Sequence, residues 1–231
     1  MVAISTLVSV ALSLPLVMVF SGAVKPSGCD LSKAQIANLP SALTQPTTSL
    51  SFVAIAIGTQ NYTCSSAGTY TNIGAVAELF DISCLYNTSS FGVIPDLAIG
   101  VWKAAPPSLT PQQIISKLQP LSSPVVLGEH YYVPNPLTGQ GLNPEWNFSS
   151  HGRFKGNADA YVVAAKANNI AAPTGSQDID WVSLKSLAGK LAQQVYRTDT
   201  QLGQPPASCT PGSPDITIRY ASKYWLFGSS V

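Results

Sequence analysis

Short runs of apolar and β-branched residues, each bounded by proline, glycine or asparagine, recur along the chain after residue 50. The alternation is clearest near the C-terminus, where Ile216, Ile218 and Tyr220 are separated by polar residues. A period of two is typical of a strand with one buried face. Further strand-like segments are residues 51–64, 124–134, 160–166, 180–184 and 191–200.

Only one segment carries clear helix signals. Thr110 is a favourable N-cap residue and Pro111 suits the first helical position, so a helix is predicted through Leu118. Residues 73–86 fit either a short helix or a strand, because the spacing of their apolar residues favours neither. Many short strands without strand–helix alternation predict an all-β fold, an antiparallel β-sandwich or barrel with one or two short surface helices.

The N-terminal segment has the pattern of a targeting sequence. The first 24 residues contain no charge, and their apolar run ends at small residues. Residues 1–23 are therefore predicted to be a cleaved secretory signal, with an uncleaved anchor as the alternative. Residues 24–50 would form an extended arm and residues 51–231 a single β domain. No later apolar run approaches the roughly 20 residues of a spanning helix, so no stable membrane span is expected after cleavage.

Four cysteines follow this segment, at positions 29, 64, 84 and 209. An even number in a secreted chain indicates two disulfides, and the residues alone allow three pairings. No CxxC pair is present, whereas structural zinc sites usually take ligands from such pairs, so no metal site is expected.

Three sequons for N-linked glycan fit the secretory pathway or the extracellular space. Asn87 and Asn147 lie among turn-forming residues and are the expected acceptors. Asn61 lies in a strand-like stretch beside Cys64, which makes it the least favourable of the three.

Charge and motifs exclude several function classes. Twelve Lys and Arg balance eleven Asp and Glu, and no basic stripe occurs, which argues against a nucleic-acid partner. The chain has no GxGxxG turn, no GxSxG elbow, no P-loop and no HExxH motif. No cofactor is therefore expected.

Six ordered blocks carry a resemblance that spans nearly the whole chain after the signal. They are Gly58–Cys64, Gly128–Val133, Ile179–Leu184, Val195–Thr200, Gly203–Cys209 and Tyr220–Trp225. They resemble a family of secreted, mostly fungal proteins of unassigned function that are often labelled malate dehydrogenase. The missing glycine-rich nucleotide turn argues against that label. The chain is also similar to fungal hetero-Diels–Alderases, which join a humulene-type terpene to a tropolone-derived partner.

The resemblance implies a pericyclase without a cofactor, whose partners are small apolar molecules of terpene and polyketide origin. It also implies the disulfide pairing. Cys64 and Cys209 both belong to the shared blocks and are expected to pair, which leaves Cys29 with Cys84.

The candidate site residues come from the aromatic-rich blocks. Strand alternation places His130 and Tyr132 on one face and Tyr131 on the other, and it places Tyr224 and Trp225 on opposite faces. The alternative for His130 is a structural histidine satisfied by the backbone. The expected catalytic residues are His130, Tyr132 and Tyr224, and the expected substrate-binding residues are Trp146, Trp225, Tyr131 and Arg197.

Arg197 and His151 also have structural interpretations. Arg197 and Asp199 share a strand face and are expected to form an ion pair at the rim, with an inward pair serving a site as the alternative. His151 lies in a Ser- and Gly-containing turn and is expected to be structural.

Three functions from different classes remain open at this point, and one of them is a purely structural secreted protein with no pocket. The first is a cyclase that holds two reactants in a shaped pocket, and the second is a secreted protein that binds cell-wall glycan or a host surface through exposed aromatics. Concavity separates them, because an enclosed cavity favours the cyclase and a flat aromatic row favours the binder.

Overall fold

Eight antiparallel strands form a closed barrel, so the all-β expectation is confirmed. The computed structural model describes residues 29–121 and 123–231, and the predicted signal, residues 1–23, lies outside them. Each strand pairs with its neighbours in the chain, and the last strand closes on the first. The strands are β1 Leu50–Cys64, β2 Tyr70–Asp81, β3 Val126–Pro134, β4 Leu142–Asn147, β5 Tyr161–Ile170, β6 Trp181–Gly189, β7 Gln194–Leu202 and β8 Ile216–Phe227.

Two helices cover part of the outer wall, α1 Ser89–Ala104 and α2 Pro111–Leu118. The predicted α2 is confirmed, and Thr110 and Gln113 form a reciprocal capping box at its start. The sequence did not indicate α1, because Pro95 lies inside it, and in the structure its N-cap residue Thr88 makes no side-chain cap. Of residues 73–86, which fit either a helix or a strand, residues 73–81 belong to β2, and a single 3-10 turn at Ser83–Leu85 follows it.

Strand β1 is buried on both of its faces, which explains its continuous apolar run. Ala54 and Ala56 belong to the core inside the barrel, whereas Val53, Ile55 and Ile57 belong to the core between the barrel and the helices. Strands that are covered on both sides do not need to alternate polar and apolar residues.

Helix α1 is held on the wall by its last turn. The indole Nε1 of Trp102 donates to the carbonyl of Gly58 at 2.8 Å. The Arg219 guanidinium lies 4.1 Å from the centre of the Trp102 ring and donates to the carbonyls of Trp102, Ala105 and Pro106. Arg219 therefore caps the C-terminus of α1 and joins it to β8.

One end of the barrel is filled by aromatic rings. The ring centroids of Phe52 and Phe148 lie 5.9 Å apart, and those of Phe52 and Phe154 lie 5.4 Å apart. Arg153 lies 4.8 Å from the centre of the Phe154 ring. Space for a ligand is therefore confined to the opposite half of the lumen.

Both predicted disulfides, Cys64–Cys209 and Cys29–Cys84, are formed. The first joins the end of β1 to the loop between β7 and β8, and the second joins the arm to the segment that follows β2. The described part of the arm, residues 29–49, has no regular structure. Within the described ranges no helix is both long and apolar enough to cross a membrane.

Candidate functional site

A cavity of about 450 Å³ occupies the half of the barrel away from the phenylalanine cluster. All eight strands contribute to its wall, and it reaches the surface beside Leu142, which is 54% exposed. This volume lies within the range of about 300 to 1,000 Å³ that is usual for small-molecule sites.

Five of the seven predicted site residues line this cavity: His130, Tyr132, Trp146, Arg197 and Tyr224. Strand pairing brings them together, because His130 lies directly opposite Trp146 on β3 and β4. Arg197 lies opposite Tyr224 on β7 and β8.

Three aromatic rings form a continuous wall. His130 stacks on Trp146 with centroids 4.6 Å apart and an interplanar angle of 12°. Tyr224 lies across both, with centroids 5.4 Å from His130 and 5.2 Å from Trp146. Each of the three side chains is at most 1% exposed, so this wall is fixed by packing.

His130 is held as a neutral ring. Its Nδ1 lies 2.8 Å from the Glu145 carbonyl, which can only accept, so Nδ1 carries the proton and Nε2 is left as the acceptor. Burial lowers the pKa of His130 to about 3. The residue can accept a hydrogen bond from a ligand but does not act as a cationic acid near neutral pH.

The tyrosines of the site are hydrogen-bond donors. Burial raises the pKa of Tyr132, and it raises the pKa of Tyr62 to about 12, so both phenols stay protonated. The Tyr62 hydroxyl donates to the carbonyl of Gly203 at 2.6 Å. The Tyr224 hydroxyl lies 3.3 Å from that of Tyr220.

Arg197 is buried in the cavity wall and has no ion-pair partner among the described residues. Its Nε and Nη2 donate to the backbone carbonyl of Asp180 at 3.1 and 3.0 Å. The expected pair with Asp199 is wrong. The backbone at Asp199 has a φ of 48° where β7 breaks register with β8, and the Asp199 carboxylate pairs with Lys223 at 3.3 Å instead.

Trp225 and Tyr131, expected to bind substrate, do not line the cavity. Trp225 faces the outer wall under α1, with its ring 5.6 Å from that of Phe91 and its Nε1 donating to Thr198. Tyr131 also faces outward, and its hydroxyl donates to Glu145 at 3.0 Å. In both cases the strand alternation that turns one neighbour inward turns the other outward.

Gln60 is a cavity residue that sequence reasoning missed. It is fully buried, and its carbonyl oxygen accepts from the Asn72 amide at 3.1 Å. The sequence does contain an indication of this role. Gln60 follows Ala54 and Ala56 on the inward face of β1, and it is a polar residue on a face that is otherwise apolar.

His151 lies outside the cavity, on the outer wall. It is fully buried, its Nε2 is 2.9 Å from Glu78, and its Nδ1 is 3.4 Å from Glu129. Burial alone lowers its pKa, but hydrogen bonds and charges from the two carboxylates outweigh burial and raise the pKa to about 9. The expected structural role of His151 is therefore to join the loop after β4 to β2 and β3 through two ion pairs.

The two histidines, the only ones in the chain, should therefore titrate in opposite directions. In an NMR titration of histidine-labelled protein we expect His130 to remain neutral and His151 to remain charged from about pH 5 to about pH 8. A histidine that titrated near its ordinary pKa of about 6.5 would contradict the corresponding assignment.

A family model described as "Protein of unknown function (DUF3455)" matches residues 45–228, a range that includes all eight strands and both helices. No curated protein and no solved structure matches the chain. In the parts of the chain that the structure describes, no group of three or more His, Cys, Asp or Glu side chains is arranged to hold a metal ion.

Proposed function

The chain belongs to the DUF3455 family of proteins of unknown function, and we propose that it is a pericyclase of the secretory pathway. It would catalyse a hetero-Diels–Alder addition between a quinone-methide-type heterodiene, of tropolone or polyketide origin, and a terpene alkene. The observation that carries the proposal is the lumenal cavity, where aromatic rings and protonated donors surround a space of ligand size.

The position of the aromatic residues favours the cyclase over the surface binder. Trp146, Tyr224 and His130 face the lumen and are almost completely buried. The exposed large apolar side chains of the described residues are all aliphatic, namely Ile73, Val93, Leu97, Leu137 and Leu142. A stacking platform for glycan would require exposed aromatic rings instead.

The reaction needs no atom or electron from the protein. One C–C bond and one C–O bond form together between the heterodiene and the alkene, while the alkene π bond and the C=O and C=C π bonds of the heterodiene are replaced by one new C=C bond. Much of the barrier is the cost of bringing the two partners into register. A fixed cavity can supply up to about 7 to 11 kcal/mol of that barrier. The aliphatic side chains of Ile179, Val182 and Leu184 offer a surface for the alkene, and the aromatic wall suits a planar heterodiene.

Polar groups of the cavity would act on the heterodiene oxygen. Hydrogen bonds from the phenols of Tyr132 and Tyr224 or from Arg197 stabilise the negative charge that gathers on that oxygen in the transition state. When the heterodiene arises from a hydroxymethyl precursor, its C–O bond breaks and the proton of the ring hydroxyl leaves with the hydroxide as water. The Nε2 atom of His130 is the acceptor available to that hydroxyl.

The neighbouring residues Tyr224 and Trp225 provide a matched test of the proposal. With purified protein, heterodiene precursor and alkene, Tyr224→Phe should slow turnover about fivefold to tenfold by removing one hydroxyl from the cavity. Trp225→Phe changes the outer wall and should leave the rate within about twofold, and dialysis against a chelator should not change it. An equal loss in both variants, or a loss only in Trp225→Phe, would count against a lumenal reaction.

Secretion and glycosylation belong to the same proposal. Two disulfides fit an oxidising compartment. Asn87 is exposed and is the expected glycan acceptor, whereas the Nδ2 of Asn147 already donates to Tyr131 and Glu145 and Asn61 lies within β1. Intact-mass analysis of protein from a eukaryotic host should show one glycosidase-sensitive site, lost in Asn87→Gln. Occupancy of Asn147 alone would reverse this assignment.

A further inference from the structure

The cavity wall holds more hydrogen-bond donors than the protein itself satisfies. Arg197 has five N–H groups: the Asp180 carbonyl accepts from Nε and Nη2, and the Tyr224 hydroxyl takes a further hydrogen bond from the guanidinium, so at least one N–H group remains for a ligand. Gln60 and Trp146 also line the cavity, and the Gln60 Nε2 and the Trp146 Nε1 are buried without a hydrogen-bond partner among the described residues. Buried polar groups of this kind are usually paired, and leaving each one unpaired costs about 1 to 3 kcal/mol.

The charges of the wall are also unbalanced. Its charged side chains are Arg197, Lys166 and Asp180. The Asp180 carboxylate accepts from the amides of Asn169 and Gln204 at 2.9 and 3.2 Å and forms no ion pair with Arg197. The wall therefore carries one net positive charge, and Arg197, only 8% exposed, has no carboxylate oxygen of the described residues within 4.0 Å. A buried cation is costly unless an anion is placed next to it.

We infer that the cavity binds a planar, conjugated ligand that carries one negative charge on oxygen, of the carboxylate, phenolate or enolate class. The ring of the ligand lies against the His130–Trp146 wall and its oxygen meets Arg197. The inference rests on the proposed function in taking the lumen as the substrate site. It adds that the oxygen-bearing partner enters as an anion, whereas the family resemblance implies only small apolar partners.

Two probes of nearly equal size and shape show how the charge of the ligand affects its affinity. The first is 2-naphthoate and the second is the neutral 2-naphthamide, each titrated into the full-length protein by calorimetry. Wild-type protein should bind 2-naphthoate at least about tenfold more tightly than 2-naphthamide, because a charge-assisted hydrogen bond is stronger than a neutral one.

Variants assign that preference to a residue. Arg197→Met should weaken 2-naphthoate about tenfold to a hundredfold and should weaken 2-naphthamide less, so that the preference for the anion is lost. Arg197→Lys should retain part of the preference, and Lys166→Met should reduce it less than Arg197→Met, because Lys166 lies exposed at the rim. Thermal unfolding confirms that each variant is folded, and the lysine variant keeps the test valid if the methionine variant is not.

The inference is overturned if wild-type protein binds both probes equally or binds neither, or if the preference persists in Arg197→Met. It fails separately from the proposed function. Selective 2-naphthoate binding without cycloaddition would leave the anion site standing and remove the pericyclase. Cycloaddition without any charge preference would do the reverse.

Discussion

Replacing Trp146 by leucine should slow cycloaddition on the order of a hundredfold and make the product stereochemistry less selective. Trp146 stacks on His130 and crosses Tyr224, so its loss enlarges the cavity and frees both neighbouring rings. A reactant misplaced by about 1 Å can cost on the order of a hundredfold in rate. The measurement is the initial rate together with the ratio of product stereoisomers.

Trp181 is the matched control for this variant. It is also a buried tryptophan, 6% exposed, and its indole Nε1 also lacks a partner among the described residues, but it does not line the cavity. Trp181→Leu should therefore lose stability as Trp146→Leu does, while its rate and selectivity at a temperature where both are folded stay close to wild type. If both variants lost the same rate and selectivity, general destabilisation of the fold would explain the loss, and the cavity would not.

Replacing His151 by alanine should lower the free energy of unfolding by about 3 to 5 kcal/mol, because it leaves the buried carboxylate of Glu78 without a cation. Glu78 is fully buried, and the His151 Nε2 is its hydrogen-bond partner at 2.9 Å. Denaturant unfolding at neutral pH measures the loss. The cavity lies on the other face of the wall, so ligand binding by folded protein should change little.

The pH dependence of the free energy of unfolding shows whether the charged form of His151 stabilises the fold. The pKa of His151 is raised to about 9 in the folded chain, above its ordinary value of about 6.5. Its contribution is therefore complete below about pH 6.5 and is lost as the pH rises through about 9. The His151→Ala variant should lack this alkaline loss of stability.

A second substitution separates a broken ion pair from lost packing. Glu78→Gln in the His151→Ala background removes the uncompensated charge and should recover part of the stability. If the single variant lost less than about 1 kcal/mol, or the double variant were no more stable than the single one, the buried pair would not have the role assigned to it.

Strand alternation predicted much of the barrel wall. It placed His130 and Tyr132 on one face and separated Tyr224 from Trp225, and the structure has these arrangements. The pattern could not say which face is the lumen, because the outer wall is also covered by apolar side chains of α1 and α2. The pattern alone therefore predicts Trp225 at the cavity, whereas the residue lies under α1.

Other features depend on contacts between residues that are distant in the chain. Helix α1 contains Pro95 and lacks a side-chain N-cap, and it is held by Trp102 and Arg219 against β1 and β8. The His151 cluster takes one carboxylate from β2 and one from β3, so a turn-like local sequence gave no indication of it. A local pattern records periodicity and turn chemistry, but it does not record which side chains a closed sheet brings together.

The enantiomeric ratio of the product tests the central claim, a reaction inside the lumen, most directly. Achiral heterodiene and alkene that combine in solution give equal amounts of the two mirror-image products. Purified wild-type protein should give one enantiomer in large excess at a rate above the uncatalysed background, because the lumen holds both partners in one orientation. A racemic product formed at the background rate would contradict the account.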